Sequence, residues 1–322
     1  MQLGWKYIWL SALLVLMLAC TGACGESGDE DPSADASDSG TETTDSGGST
    51  ETGTVPAIGV RVFGCDSAEI DLPGSVKTAL MAAGLTRCAM PFGVLLAADS
   101  QFAESYVRVA AQIVAELLDN DQDGVADDAL LIPEIQKWNV AWLAMPFDDA
   151  RWESEQLPGL RGVLGYDIII PAWWIGNTTH DEPDTRAKAV MVEEITHFIT
   201  QFGWSTAYPA QFGVTGWSSV IAKETQRAAC DWWQHPENSC PGSPAEYQGD
   251  CSEPSCDVVE FYQQVLIMRA GMTPGWLGIG FPRTQEALEA KLSDEIKAVM
   301  DDPQYHQIRE PLGFDYPVVE GS

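Results

Sequence analysis

The chain has 322 residues, with 17 basic against 48 acidic side chains and a formal charge of −31. A field of that sign disfavours nucleic acid and anionic membrane surfaces as partners, and suits cations or metal ions. Hydrophobic residues make up 45% of the chain, enough for a folded part with a substantial core.

After Lys6, residues 7–19 form an apolar run. It is too short for a membrane span, which takes about 20 residues, and has the length of a signal-peptide core. Leu16-Met17-Leu18-Ala19-Cys20 resembles the lipobox of bacterial lipoproteins, in which the cysteine is acylated and becomes the N-terminus. Met17 departs from the usual leucine, and Cys24 is a second candidate for the lipid. The resemblance implies that residues 1–19 are a signal peptide and that Cys20 carries the lipid. It also implies an extracytoplasmic protein, at the outer membrane or cell surface, that touches the bilayer only through that anchor. Residues 25–55 are mostly Gly, Ser and Thr with nine acidic residues, no Lys or Arg and almost nothing apolar. Such a stretch cannot bury enough apolar surface to offset its ordering entropy, so residues 20–55 read as a disordered acidic tether. Residues 56–322 then form one folded domain.

Within it, residues 59–65 alternate like a short strand. Residues 101–118 have helical periodicity, with Phe102, Tyr106, Val109, Ile113, Val114 and Leu117 on one face. A helix is expected from Pro133 to about residue 144, because proline suits the first helical position. Tyr166-Asp167-Ile168-Ile169-Ile170 predicts a buried strand. Asp184 is placed to cap a helix over 185–202 that Gly203 stops. Further helices are expected at 218–233, 257–270 and 284–300. The fold class is α+β, predominantly helical with a small sheet.

Setting aside Cys20 and Cys24, six cysteines remain, an even number that reads as disulfides in an exported chain. Cys65 and Cys88 pair naturally. Cys230, Cys240, Cys251 and Cys256 share a Pro-, Gly- and Ser-rich loop at 230–256 and allow three pairings, of which Cys230–Cys240 with Cys251–Cys256 is preferred. A zinc site is the rival, disfavoured by the oxidising compartment and uneven spacing.

Asp119-Asn120-Asp121-Gln122-Asp123-Gly124-Val125-Ala126-Asp127-Asp128 places oxygen ligands at alternate positions before a glycine turn, as Ca²⁺ requires. The loop resembles that of an EF-hand, in which Asp119, Asp121, Asp123 and Val125 would be ligands. Leu130 stands where the EF-hand has its bidentate glutamate. Asp127 and Asp128 would supply the missing oxygens, as in the shorter thrombospondin-type calcium repeats. A solvated acidic turn is the bland alternative.

Glu193-Glu194-Ile195-Thr196-His197 puts Glu193 and His197 on one helix face. It resembles the HExxH helix of zincin metallopeptidases, with Glu193 in place of the first histidine ligand. The resemblance implies a zincin-like arrangement with Zn²⁺ on Glu193 and His197, Glu194 as the base, and a peptide or protein as substrate. Glutamate-type zincins take a third ligand from a downstream helix, for which Glu224 and Glu260 are candidates. Glu224 lies on an apolar stripe, whereas Glu260, Gln263 and Gln264 form a polar stripe that water would also explain. His180 sits in an acidic loop leading into the motif helix and reads as solvated. The competing interpretation is a non-catalytic calcium-binding lipoprotein in which the Glu-Glu-x-x-His cluster is structural.

Overall fold

Short runs of small and aliphatic residues build a five-stranded sheet in the computed structural model, which describes residues 59–233 and 254–319. All of these fall in one structural unit, Ala57–Ser322. The expected signal, Cys20, Cys24 and the tether lie outside the described residues, as do Cys240 and Cys251. Strands β1 (Val62–Gly64), β2 (Leu85–Ala89), β3 (Leu96–Asp99), β4 (Ala141–Met145) and β5 (Tyr166–Ile169) are neighbours in chain order. The β1–β2 and β2–β3 pairs are antiparallel, and the β3–β4 and β4–β5 pairs are parallel.

Side chains alternate across the sheet. Leu96, Ala98, Leu143 and Met145 face the larger core, with helix α2 (Glu104–Leu118) and helix α3 (Thr185–Phe198). Leu95, Ala97, Trp142 and Ala144 face a smaller core under helix α1 (Gly74–Ala82) and Trp152. Each fully buried aliphatic side chain stabilises the fold by about 1.5–3 kcal/mol relative to exposure. Cys65 and Cys88 are bonded, joining the chain just after β1 to β2. Cys230 and Cys256 are each in a disulfide as well, and the expected pairings of these two with Cys240 and Cys251 fall outside the described residues.

Two expected helices differ for physical reasons. Residues 133–144 are not a helix: only the turn Ile132–Ile135 is helical, and β4 follows. Ala-Trp-Leu-Ala-Met is buried on both faces, and in such a strand periodicity does not separate strand from buried helix. Residues 284–300 split into Gln285–Glu289 and Asp294–Asp301, the second capped by the Ser293 hydroxyl, which accepts from Ile296 N–H.

The motif helix α3 begins as expected, with Asp184 Oδ1 accepting from Ala187 N–H at 2.8 Å. Gly203 does not stop it. The helix widens into a π-helical turn, Ile199–Trp204, and a Cβ on Gly203 would lie 2.9 Å from Ile135 Cγ2. That glycine serves close packing. Helix α4 (Val220–Asp231) and helix α5 (Pro254–Arg269) complete the larger core, and α5 packs on α3 and its π turn. Among the described residues no helix is long and apolar enough to cross a membrane.

Candidate metal centres

Helix α3 presents Glu193 and His197 one turn apart, and helix α5 brings Glu260 to them. One ligand atom from each of the three lies within 4.8 Å of the others. His197 Nε2 is 3.6 Å from Glu260 Oε2, and His197 Nδ1 is 3.5 Å from Glu194 Oε2. Both distances exceed a hydrogen bond. The Glu260 distance suits atoms around one ion, since zinc bonds of about 2.0–2.2 Å leave ligand atoms roughly 3–4 Å apart, whereas Glu194 lies beside the other ring nitrogen. His197 is 6% exposed, and its Nε2 has no hydrogen-bond partner among the described residues.

The electrostatics have one direction. Burial raises the Glu193 carboxyl to about 8, with the Glu194 charge adding to it, and burial raises Glu194 to about 8. Glu260 is also raised to about 8 by burial, with Glu193 and Glu194 pushing the same way and His197 opposing. Burial holds the His197 imidazole below its usual value, against the pull of Glu260. No lysine or arginine pairs with these carboxyls among the described residues. The cluster therefore has charge capacity without a protein counter-charge, the condition under which a buried ionised group needs a cation. The Glu194 and Glu260 side chains keep 12% and 17% exposure, so the cluster is not wholly closed to solvent.

Glu224 is not brought to this cluster. Its carboxylate accepts from the Arg227 guanidinium, at 2.9 Å from Nε, and from Ser293 N–H at 3.1 Å. Burial alone would raise it, but these bonds hold it below the usual carboxylate range. An apolar stripe with a carboxylate on it therefore marked a buried ion pair rather than a ligand. Conversely, the polar stripe of α5 turns inward: Gln263 and Gln264 are buried. His180 is exposed and lies 2.9 Å from Asn177 Nδ2.

Gly275 was not legible as a site residue. A Cβ there would stand 3.1 Å from Glu193 Oε2 and 3.3 Å from Ala189 Cβ, so this exposed backbone rims the cluster. The only sequence signal was a Pro-Gly pair in a loop.

The second cluster joins Asp119, Asp121 and Asp127 in the acidic loop. Asp119 is fully buried and accepts from Gly124 N–H at 2.8 Å, Asp123 N–H at 3.2 Å and the Tyr316 hydroxyl at 2.5 Å. Gln122 at φ 57° and Gly124 at φ 87° take left-handed backbone to close the loop. At Asp121 a hydrogen bond from Asp123 N–H lowers the carboxyl, but burial and the neighbouring aspartates leave it raised overall. Asp123 is exposed and its Oδ1 accepts from Val125 N–H, while Val125 itself is exposed. Asp128 is turned elsewhere: it accepts from the Tyr208 hydroxyl at 2.9 Å and from Leu130 and Leu131 N–H, fixing the turn that follows. Its oxygens are committed to that turn, so Asp128 is not among the converging aspartates.

Comparison of the chain with protein-family models, with curated proteins and with solved structures returned no match, and the functional reading rests on this geometry.

Proposed function

We propose that the protein is a surface-anchored, calcium-stabilised metalloprotein with a zincin-like centre, acting as a metal-dependent hydrolase on peptide bonds. Glu193, His197 and Glu260 are the ligands of a divalent transition metal, and Glu194 is the base that takes a proton from metal-bound water. The observation that carries this reading is the buried His197 Nε2, without a hydrogen-bond partner among the described residues and 3.6 Å from a carboxylate on another helix. A carboxylate can stand in a zinc ligand set, so Glu193 is compatible with the role. The Cys65–Cys88 disulfide suits an oxidising compartment and so supports export by the Cys20 lipoprotein route. Calcium occupies the Asp119–Asp121–Asp127 cluster in a structural role.

Metal analysis of the purified protein tests the reading. Stoichiometric zinc that is lost in His197→Ala and retained in Glu194→Gln supports the centre. Hydrolysis of a peptide mixture that disappears in Glu194→Gln supports the chemistry.

The second reading is a non-catalytic calcium-binding lipoprotein. It is favoured by Glu194 Oε2 lying beside His197 Nδ1, where a carboxylate orients the ring instead of serving water. Calcium without a second metal would select it.

A further inference from the structure

Glu260 and Gln263 are three residues apart on α5 and so share a helix face. Gln263 is 1% exposed, yet neither its amide nitrogen nor its carbonyl oxygen has a hydrogen-bond partner among the described residues. Gln264 differs in part: its Oε1 accepts from Gly278 N–H at 3.1 Å and from the Trp233 indole at 3.4 Å, and only its Nε2 lacks a hydrogen-bond partner among the described residues. On the facing element, Thr200 lies three residues beyond His197 in the π-helical turn, fully buried, with its hydroxyl also unpartnered. Leaving a buried donor or acceptor unmade costs more than a made bond gains. Buried polar groups of this kind persist where water or a ligand satisfies them. Here they adjoin, along α3 and α5, the residues that converge as ligands, and the two helices pack on each other.

We propose that Gln263 belongs to the metal centre, its side-chain amide hydrogen-bonding water held by a divalent ion at Glu193, His197 and Glu260. The inference rests on the metal reading above and deepens it. An amide offers both a donor and an acceptor and adds no charge. It can therefore hold metal-bound water beside three carboxyls without a fourth acid. Partners in this outer position set ligand orientation and metal affinity.

The test uses cobalt(II) titrated into the full chain, followed by its visible absorption. Gln263→Met keeps the length of the side chain and removes both polar atoms. We expect it to bind cobalt about 3- to 10-fold more weakly, the loss of one hydrogen bond, and to alter the absorption band. After chelator treatment the same variant should melt at or above the wild type, because two unsatisfied atoms are gone. Gln263→Glu, which restores an oxygen acceptor, should recover the affinity. Cobalt affinity and band identical to wild type in Gln263→Met would overturn the proposal. So would a lower melting temperature of that variant without metal, which marks an ordinary structural hydrogen bond. A wild type that binds no cobalt would overturn the metal reading itself, which keeps the two failures apart.

Discussion

The Tyr316 hydroxyl donates to Asp119 Oδ2 at 2.5 Å, joining the C-terminal segment to the acidic loop at the end of α2. Glu116, one turn earlier, accepts from the backbone N–H groups of Phe314, Asp315 and Tyr316. Both carboxylates are buried, so the C-terminal segment is held by charge-assisted bonds rather than by apolar packing alone. Tyr316→Phe should cost about 1.5–3 kcal/mol of unfolding free energy, the range for a hydrogen bond to a charged group. It should also weaken calcium, because Asp119 loses the partner that orients it. Denaturant titration with and without calcium measures both effects.

Calcium should raise the melting temperature, since a ligand that binds only the folded state stabilises it by mass action. At a free concentration 100 times Kd the gain is about 2.7 kcal/mol. Asp121 is exposed, so Asp121→Ala should leave the calcium-free melting temperature nearly unchanged and remove most of the calcium increment. Identical melting with calcium and with chelator in the wild type would defeat the calcium assignment.

Without metal, the ligand cluster makes stability fall as pH rises. Glu193, Glu194 and Glu260 are held near 8 in the folded protein against an ordinary value of 4.5. Between those limits the folded state binds more protons than the unfolded state, so this stability is present below pH 4.5 and lost on the way to pH 8. His197 acts oppositely. Its value is depressed from 6.5, so its contribution is present above pH 6.5 and lost as pH falls through the lower folded value. Above pH 6.5 the carboxyl effect stands alone, at about 1.4 kcal/mol per pH unit for each proton lost. A divalent metal should flatten that slope and release protons on binding, measurable by calorimetry in buffers of different ionisation heat.

Gly275→Ala should perturb the centre without unfolding the protein. The added methyl group would meet Glu193 Oε2 at 3.1 Å and Ala189 Cβ at 3.3 Å, and the glycine is exposed. Moving Glu193 by a few tenths of an ångström should cost about 1 kcal/mol of metal affinity, the low end of an overpacking penalty. That is roughly a fivefold rise in Kd at unchanged melting temperature of the metal-free protein. An unchanged Kd would show that Glu193 can give way freely.

Local chemistry explains which parts of this were legible from the amino acids. The Asp184 cap and the alternating loop aspartates each announce themselves through a few adjacent residues. The motif helix could therefore be placed in advance. Its partner could not, because Glu224 and Glu260 both occupy helices with apolar neighbours, and only the packing of α5 on α3 separates them. Arg227, one turn from Glu224, was the missed signal: an i, i+3 arginine offers that carboxylate a partner within its own helix. Strands β2, β3 and β4 were hidden by their composition, since Leu-Ala-Ala-Asp and Ala-Trp-Leu-Ala-Met alternate nothing that periodicity can read. Gly275 and Tyr316 act through contacts distant in sequence and left no local trace.

Glu224 and Glu260 give the sharpest contrast between an ion pair and a ligand. Glu224→Gln removes the closest charged partner of Arg227, whose side chain is 38% exposed and keeps Asp231 and the Lys291 carbonyl nearby. The expected loss is about 1–2 kcal/mol, below the 3–5 kcal/mol of a fully buried pair, with the transition-metal Kd unchanged. Glu260→Gln should do the reverse. In the metal-free protein this carboxyl is already neutral below about pH 8, so an amide of the same shape should leave stability unchanged or raise it above that pH. The metal site, however, loses one of its two ionisable carboxylate ligands, and its affinity should fall by at least 100-fold, about 2.7 kcal/mol. Melting curves and metal titrations on the two variants distinguish the roles directly. If Glu260→Gln retained wild-type metal affinity, the convergence of α3 and α5 would be a buried hydrogen-bonded cluster, and the non-catalytic calcium-binding reading would replace the one proposed here.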